Sequence, residues 1–497
     1  MSAAHLAFDL GASSGRAIVG VLQDDGKLSL EEVHRFEHHA CPTPTGPVWD
    51  LTGIWLNLLT GLKSGSQWCR DNQVKLASVG VDTWGVDWTL LGSSGEVLSL
   101  PHCYRDPQNE QACQRVMDQL GGFEKLYART GIQLLPFNSL FQLAARYERE
   151  PQLFEAATKL VFLPDLLHYW LSGEVAIERT IASTSSMLQV ESGEWDRELV
   201  EQLGLPTHIL GDIVEPGTSL GKLRREVAES AGVDGDVEVI VPATHDTGSA
   251  IAAVPADEAT SWAYLSSGTW SLLGAELAEP CFSDDCREIP LTNERGVSGT
   301  IRLLKNIGGL WLVQEVRRDL QSKGQDYDFA QLTQEARSAE AGRTLVDPNY
   351  PEFAAPGKMI EKIQTFARKT DQPVPESVGQ IVRSCLESLA LCYDDTLGQL
   401  EKVLDQKVDV LHLIGGGTKN DLLNELTAEA TGKTVAVGPV EATAIGNLLV
   451  QAIGCGELGS LNELRHVVAD SFGVQTLSPP AEDRWQEQRT RYRSILS

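Results

Sequence analysis

The alternation of apolar and polar positions predicts short strands that meet in small, polar turns, interspersed with amphipathic helices. Residues 237–241 form a β-branched apolar run stopped by Pro242, the pattern of a buried strand, and residues 248–254 are small and apolar, as in a tightly packed helix. Between them lies His245-Asp246-Thr247, a polar turn at a strand-to-helix junction. α/β proteins place ligand and catalytic groups at such junctions, and Asp is equally at home there as a helix cap.

Two other stretches share a strand–turn–strand pattern. Residues 5–36 alternate like strands around the turn DLGASSGR (residues 9–16), and SWAYLSSGTWSLLGAEL (residues 261–277) repeats that form. Small residues let backbone N–H groups approach phosphate oxygens, and the serines and threonine add hydroxyl donors. Neither turn is a GxGxxG or a Walker motif. Their spacing, about half a chain apart, predicts two related domains, each with a phosphate-gripping turn.

Asp50 starts an amphipathic helix carrying Leu51, Trp55, Leu58, Leu59 and Leu62. Residues 76–82 predict a strand that runs into TWGVDW, placing Asp82, Trp84, Gly85 and Asp87 at or past its end. Trp84 there is either a sugar-stacking platform or a core residue. Residues 107–173 read as mostly helical, broken by TGIQLLPFNSLFQL (residues 130–143), with a helix start at Leu163-Pro164. Residues 204–222 read as irregular connection. A helix carrying Trp311 is expected after Asn306. After a linker at residues 347–356, a long helix buries Ile381, Val382, Cys385, Leu389 and Leu400. Residues 408–414 predict a buried strand entering GGGTKN, then a helix over 421–430 capped by Asn420, a flat glycine surface suited to a ring system. Gly432-Lys433-Thr434 imitates the end of a Walker motif but precedes a strand, so it is discounted.

Composition narrows the classes. The 497 residues are 42% hydrophobic and 22% charged, enough for about three domains of ordinary size or two large ones, with ample core. A formal net charge of −28 disfavours nucleic acid and anionic membranes, so an anionic substrate such as ATP needs local donors. Nine dispersed cysteines without a CxxC pair favour reduced thiols, including Cys281 and Cys286, and a cytoplasmic protein. No secretory leader or bilayer-length apolar run is expected.

In order, DLGASSGR, VDTWGVDW, TGIQLLPFNSLFQL, THDT, LSSGTWSLLG, LKNIGGLW, GGG and GPVEATAIGN resemble the FGGY carbohydrate kinases, which share the fold of actin and the heat-shock chaperone ATPases. The resemblance covers nearly the whole chain; TWGVD and LPFN are its most specific parts. It implies an α/β fold of two actin-like ATPase (ribonuclease H-like) domains, residues 1–248 and 249–497, flanking a central catalytic cleft. It implies ATP-dependent phosphorylation of a ketose, L-rhamnulose at its 1-hydroxyl, with L-fuculose or L-xylulose as alternatives. The resemblance further implies Asp246 as catalytic base and Gly85, His245, Asp246, Thr247 and Asn306 as sugar contacts. Ala12, Ser13, Ser14, Gly15, Arg16, Thr269, Gln314 and Gly416 are the implied nucleotide contacts, and Asp9 the implied contact to Mg²⁺ through water. The protein is expected to be a monomer or homodimer. A sugar sensor or ATP-binding protein without catalysis is the alternative from another class, since one fold serves several functions.

Overall fold

The computed structural model describes residues 3–257 and 260–496. The chain forms two compact units: one of residues 1–255, 276–303 and 442–471, the other of residues 256–275, 304–441 and 472–497. The first unit thus recruits two segments from late in the chain.

The first unit is built on a six-stranded sheet of β1 (Ala3–Leu10), β2 (Ser14–Leu22), β3 (Leu28–Glu37), β4 (Lys75–Thr83), β5 (Ser219–Lys222) and β6 (Glu238–Ile240), in the order β5-β6-β4-β1-β2-β3. β1, β2 and β3 run antiparallel in turn, β1 and β6 each flank β4 in parallel, and β5 closes the far edge antiparallel. All of Ala4–Leu10 in β1 is buried, as a central strand covered on both faces requires. Helix α1 (Leu51–Asp71) packs on this sheet through Ile54, Leu58 and Leu62; Asp50 caps it, its carboxylate accepting from Gly53 N–H at 2.9 Å. Helix α2 (Asp246–Ala252) follows β6.

The second unit is built on strands of a seven-stranded sheet, β7 (Trp262–Ser267), β8 (Trp270–Leu277), β9 (Thr292–Arg295), β10 (Ile301–Gly308), β11 (Val410–Ile414), β12 (Thr434–Val437) and β13 (Gln475–Leu477), in the order β9-β10-β8-β7-β11-β12-β13, of which β9 falls in residues 276–303 of the first unit. Its hairpin β7–β8 is antiparallel, β7 and β12 flank β11 in parallel, and β13 is antiparallel. The same arrangement of a hairpin, two parallel neighbours and an antiparallel edge therefore occurs twice, as the repeated turn predicted. Helices α3 (Trp311–Ser322), α4 (Val378–Leu404) and α5 (Asp421–Thr431) belong to this unit, and α6 (Ala442–Gly454) to the first.

Local expectations mostly hold, with differences that have physical causes. Asn420 caps α5 through its side chain, accepting from Leu423 N–H at 3.0 Å. Lys433 sits after the α5 C-cap Gly432 and donates to Glu401 at 2.6 Å, so the Walker-like triplet closes a helix. Residues 204–222 are not wholly irregular: they hold Ile213–Val214 and Ser219–Lys222, strands too short to leave a periodic signal. Lys159–Phe162, inside the stretch expected to be helical, is a strand paired with Trp88–Leu91. The cysteines are thiols; Cys281 and Cys286 sulfurs lie 3.0 Å apart.

Candidate active site

Three carboxylates stand at the carboxyl ends of neighbouring strands in the first unit. Asp9 is the penultimate residue of β1 and pairs in register with Asp82, penultimate in β4. Thr83 donates from its backbone to Thr244 O at 2.9 Å and bridges to His245, which brings Asp246 to the same edge. The carboxyl edge of parallel strands is where open α/β sheets bind ligands.

Asp9 also faces Arg16 across the β1–β2 hairpin and forms an ion pair with it. The hairpin's tip is open: Ala12 and Ser13 are exposed, and Gly11 N–H closes the turn onto Ser14 O at 3.0 Å. Gly15 is buried, and a Cβ there would run into Leu10 and the ring of Phe36. His38 fixes the turn from below, with Nε2 2.8 Å from Gly11 O; burial lowers its pKa, so the ring is neutral and donates that hydrogen bond.

Asp82 is wholly buried. Asn447 of α6 donates to its Oδ2 at 2.6 Å, while Oδ1 has no hydrogen-bond partner among the described residues. Burial first, then the charge of Asp9, hold its carboxyl well above the usual carboxylate range, against the pull of the Asn447 hydrogen bond.

Asp246 opens α2. Its Oδ1 accepts from Thr247 N–H at 2.6 Å and from the Thr247 hydroxyl at 3.1 Å, and its side chain is 31% exposed. Thr247 and Ser249 do not cap α2, although they are the helix's polar candidates. The Ser249 hydroxyl donates to Ala243 O at 2.7 Å, and the N-cap residue His245 makes no side-chain cap bond. Asp246 itself thus covers the first-turn N–H of Thr247.

His245 is held from both sides. Nε2 is 3.4 Å from Asp246 Oδ1, and Nδ1 is 3.2 Å from Glu294 Oε2. Arg302, with no exposed surface, approaches the same Nδ1 at 3.2 Å and pairs with Glu294 at 3.0 Å. Burial pushes the Glu294 carboxyl up, but Arg302 and His245 together bring it below its usual value, so it stays charged. The turn ahead of Asp246 is fixed by Glu178, whose buried carboxylate accepts from Thr180 N at 2.7 Å, Ile181 N at 3.1 Å and Thr244 N at 3.0 Å.

Gly85 lies against this group: a Cβ there would be 3.3 Å from His245 Nε2 and from Thr184 Cγ2. The next residue, Val86, has a φ of 70°, an unfavourable conformation for a β-branched side chain. It is held by Thr184 Oγ1, which accepts from its N–H at 3.1 Å, and by the Ser139 hydroxyl, which donates to its carbonyl at 2.6 Å. The LPFN segment supports the same wall, since Asn138 donates to Thr184 O at 3.0 Å and accepts from Leu135 N–H at 3.0 Å. Strain pinned this firmly is typical of functional sites.

Trp84 is buried, stacked on His38 at 5.2 Å, which decides between platform and core in favour of core. Asp87 is equally occupied, accepting from Trp49 at 2.6 Å, Trp84 at 2.9 Å, Tyr104 N–H at 3.3 Å and Gln142 at 3.1 Å; burial raises its pKa to about 7.

In the second unit, Thr269 and Gln314 meet: Gln314 Nε2 donates to Thr269 Oγ1 at 3.2 Å, and Thr269 O accepts from Trp311 N–H at 3.1 Å. Gly309 makes this approach feasible, because a Cβ there would lie 2.7 Å from Ser271 Oγ and from Trp270 C. The three glycines after β11 differ sharply. Gly415 has φ 87° and a Cβ on it would meet Ser267 O at 3.0 Å; Gly417 is pressed against Ser267 as well; Gly416 is exposed with open space where a Cβ would go. Asn306, in β10, also lies in this unit.

Sequence reading missed Glu294, Arg302, Glu178, Thr184 and Asn447. Only Asn447 left a signal, since with Gln451 it forms an i, i+4 polar pair on an otherwise apolar helix, ATAIGNLLVQAIG.

Family models for the N-terminal and C-terminal domains of the FGGY family of carbohydrate kinases match residues 4–253 and 263–455. The chain is 41% identical over 490 residues, 99% of both chains, to a rhamnulokinase of Bacteroides thetaiotaomicron, and 38% identical over 484 residues to a rhamnulokinase of Bacillus subtilis, covering 97% of this chain and 96% of that one. Its fold matches a xylulose kinase from Lactobacillus acidophilus (TM-score 0.78, 15% identity, 99% and 96% of the two chains) and a Plasmodium falciparum glycerol kinase with ADP (TM-score 0.78, 16% identity, 100% and 97%). Among the described residues no helix is long and apolar enough to cross a membrane. The chain belongs to the FGGY family of carbohydrate kinases and is an enzyme that phosphorylates a sugar with ATP.

Proposed function

We propose that this kinase transfers the γ-phosphoryl group of ATP to the 1-hydroxyl of L-rhamnulose, with Asp246 as the base. What carries the substrate is the identity of about 40% over nearly the full length to relatives named rhamnulokinase. The geometry around Asp246 supports the role given to it.

The sugar's C1 oxygen forms a bond to the γ-phosphorus as the bond to the β,γ-bridging oxygen breaks, releasing ADP. Asp246 takes the hydroxyl proton. Thr247 N–H holds its Oδ1, so the carboxylate is oriented while part of it remains accessible. A carboxylate is a weak base toward an alcohol, which is tolerable in a loose transition state where the proton moves late. His245, aligned by Glu294 and Arg302, contacts the sugar together with Gly85, Thr247 and Asn306. Ala12, Ser13, Ser14, Gly15 and Arg16 of the first hairpin and Thr269 of the second grip the phosphates, with Gln314 and Gly416 as further nucleotide contacts.

The residues present fit magnesium held through water. Asp9 and Asp82 are two carboxylates side by side, with Arg16 paired to one and an unsatisfied buried oxygen on the other. Among the described residues no group of three His, Cys, Asp or Glu side chains offers a direct ligand set. A nucleotide-bound Mg²⁺ would supply charge neutralisation at the phosphate oxygens, and Asp9 would hold it through water.

The test is an ATP-coupled assay over a panel of ketoses. L-Rhamnulose is expected to give the highest kcat/KM; a higher value for L-fuculose or L-xylulose overturns the substrate assignment.

A further inference from the structure

Asp82 ends a buried chain of hydrogen bonds that all run one way. Asn447 Nδ2 donates to Asp82 Oδ2 at 2.6 Å, Gln451 Nε2 donates to Asn447 Oδ1 at 2.6 Å, and the Ser78 hydroxyl donates to Gln451 Oε1 at 2.6 Å. With its proton committed to Gln451, Ser78 Oγ accepts from His5 Nδ1 at 2.7 Å, and His5 Nε2 pairs with Glu457 at 3.3 Å. His5, Ser78, Asp82, Asn447 and Gln451 are each at most 1% exposed. Aligned dipoles of this kind strengthen one another in a low-dielectric interior, and from His5 Nδ1 through Ser78, Gln451 and Asn447 each link donates toward Asp82, while Gln451 Nε2 also reaches Leu6 O at 3.1 Å.

Close packing fixes the chain. A Cβ on Gly80 would lie 3.0 Å from Asn447 Oδ1 and 3.0 Å from Gln451 Nε2, so only glycine leaves room for the amide pair beside β4. A Cβ on Gly446 would overlap the Ser249 backbone, so α6 lies directly against α2, the helix that Asp246 opens. A buried ladder this complete, ending on a carboxylate whose second oxygen lacks a partner, has the form of a device that aims that oxygen. Leaving a buried oxygen unsatisfied is costly, and a cation beside Asp9 and Asp82 would offset the burial and like-charge repulsion that otherwise favour the protonated carboxyl.

Resting on the magnesium reading given above, we propose that Asn447 is a positioning residue for phosphoryl transfer. Its amide, aligned by Gln451, Ser78 and His5, holds Asp82 so that Oδ1 accepts a hydrogen bond from water in the shell of the nucleotide-bound magnesium, beside Asp9. Helix α6 thereby takes part in nucleotide binding without touching the nucleotide.

The experiment is calorimetric titration of the full chain with ADP, with and without Mg²⁺, for wild type, Asp82→Asn, Asn447→Ala and the exchange Asp82→Asn/Asn447→Asp. The exchange preserves the ladder, because the carboxylate then carried on α6 accepts both from Gln451 and from the amide then carried on β4. It is expected to keep the wild-type melting temperature, and because the amide then carried on β4 still turns an oxygen to the water, as a neutral acceptor, the gain in ADP affinity on adding Mg²⁺ is expected to shrink about threefold, the charge part of one charge-assisted hydrogen bond. Asp82→Asn, in which Asn447 holds the amide oxygen and a donor faces the water, is expected to lose about tenfold, and Asn447→Ala part of that, with metal-free ADP binding unchanged throughout. A full magnesium effect in the exchange variant overturns the inference and leaves a purely structural ladder. If Asp82→Asn does not fold, the exchange and Asn447→Ala decide alone. Absence of any magnesium effect in wild type overturns the magnesium reading itself and this inference with it.

Discussion

His245 Nδ1 lies 3.2 Å from Glu294 Oε2, while the opposite ring nitrogen lies 3.4 Å from Asp246. The imidazole therefore links the carboxylate at the head of α2 to a buried ion pair, Glu294 with Arg302. Glu294→Gln would leave the Arg302 guanidinium without its counter-charge. Breaking a buried pair by removing one partner costs about 3–5 kcal/mol. The expected outcome is a loss of stability of that order in urea unfolding, with a raised KM for the sugar as His245 loses its anchor. Unchanged stability would show that the pair is hydrated and not buried.

Gly85 is expected to act on the sugar alone. The Cβ of Gly85→Ala would crowd His245 Nε2 and Thr184, each at 3.3 Å. One methyl group in a substrate pocket shifts discrimination by roughly ten- to a hundredfold. Steady-state kinetics are expected to show the sugar KM rising within that range while the ATP KM stays fixed. Equal rises in both constants would place Gly85 elsewhere in the reaction.

The glycines after β11 offer a paired comparison. Gly416→Ala projects into open space and is expected to leave the melting temperature unchanged while raising the ATP KM. Gly417→Ala meets Ser267 O at 2.8 Å and is expected to lose about 1–3 kcal/mol of stability from overpacking. A Gly416→Ala enzyme with wild-type ATP KM would remove that residue from the nucleotide site.

The strand ends and turns were the legible part of this protein. β1, β4, β6 and β11 announce themselves by apolar runs, the two hairpins by their small-residue turns, and Asp9, Asp82 and Asp246 by standing where those strands stop. What could not be read are partnerships over long separations. Asn447 lies 365 residues from Asp82, and Arg302 lies 57 from His245. Nothing local in either segment encodes its partner; the topology of the sheet brings them together. Trp84 and Asp87 mark the opposite limit, because a Trp beside carboxylates describes a sugar platform and a buried hydrogen-bond knot equally well. Four donors on Asp87 decide it.

Stability should depend on pH through His5. Burial alone would lower its pKa, but hydrogen bonds to Cys455 and Glu457 raise it from 6.5 to about 9. A group whose pKa is raised on folding contributes stability that is complete below its unfolded value and lost as pH climbs through the folded one. Asp87, raised from 3.8 to about 7, follows the same sign over a lower window that ends near neutrality. Between pH 7 and 9 His5 is therefore expected to contribute part of the decline, the part that a His5 substitution removes. Denaturant unfolding across that range should show a falling stability in wild type and a flatter profile in His5→Asn.

The most direct test of the account is the turnover number of Asp246→Asn with L-rhamnulose and ATP. The amide can still accept the Thr247 hydrogen bonds but cannot take the substrate's proton. Loss of a general base costs about 10²-fold or more in rate. The expected result is a fall in kcat of at least that size, with sugar and ATP still bound and the fold intact by circular dichroism. Turnover close to wild type would contradict the assignment of Asp246 as the base.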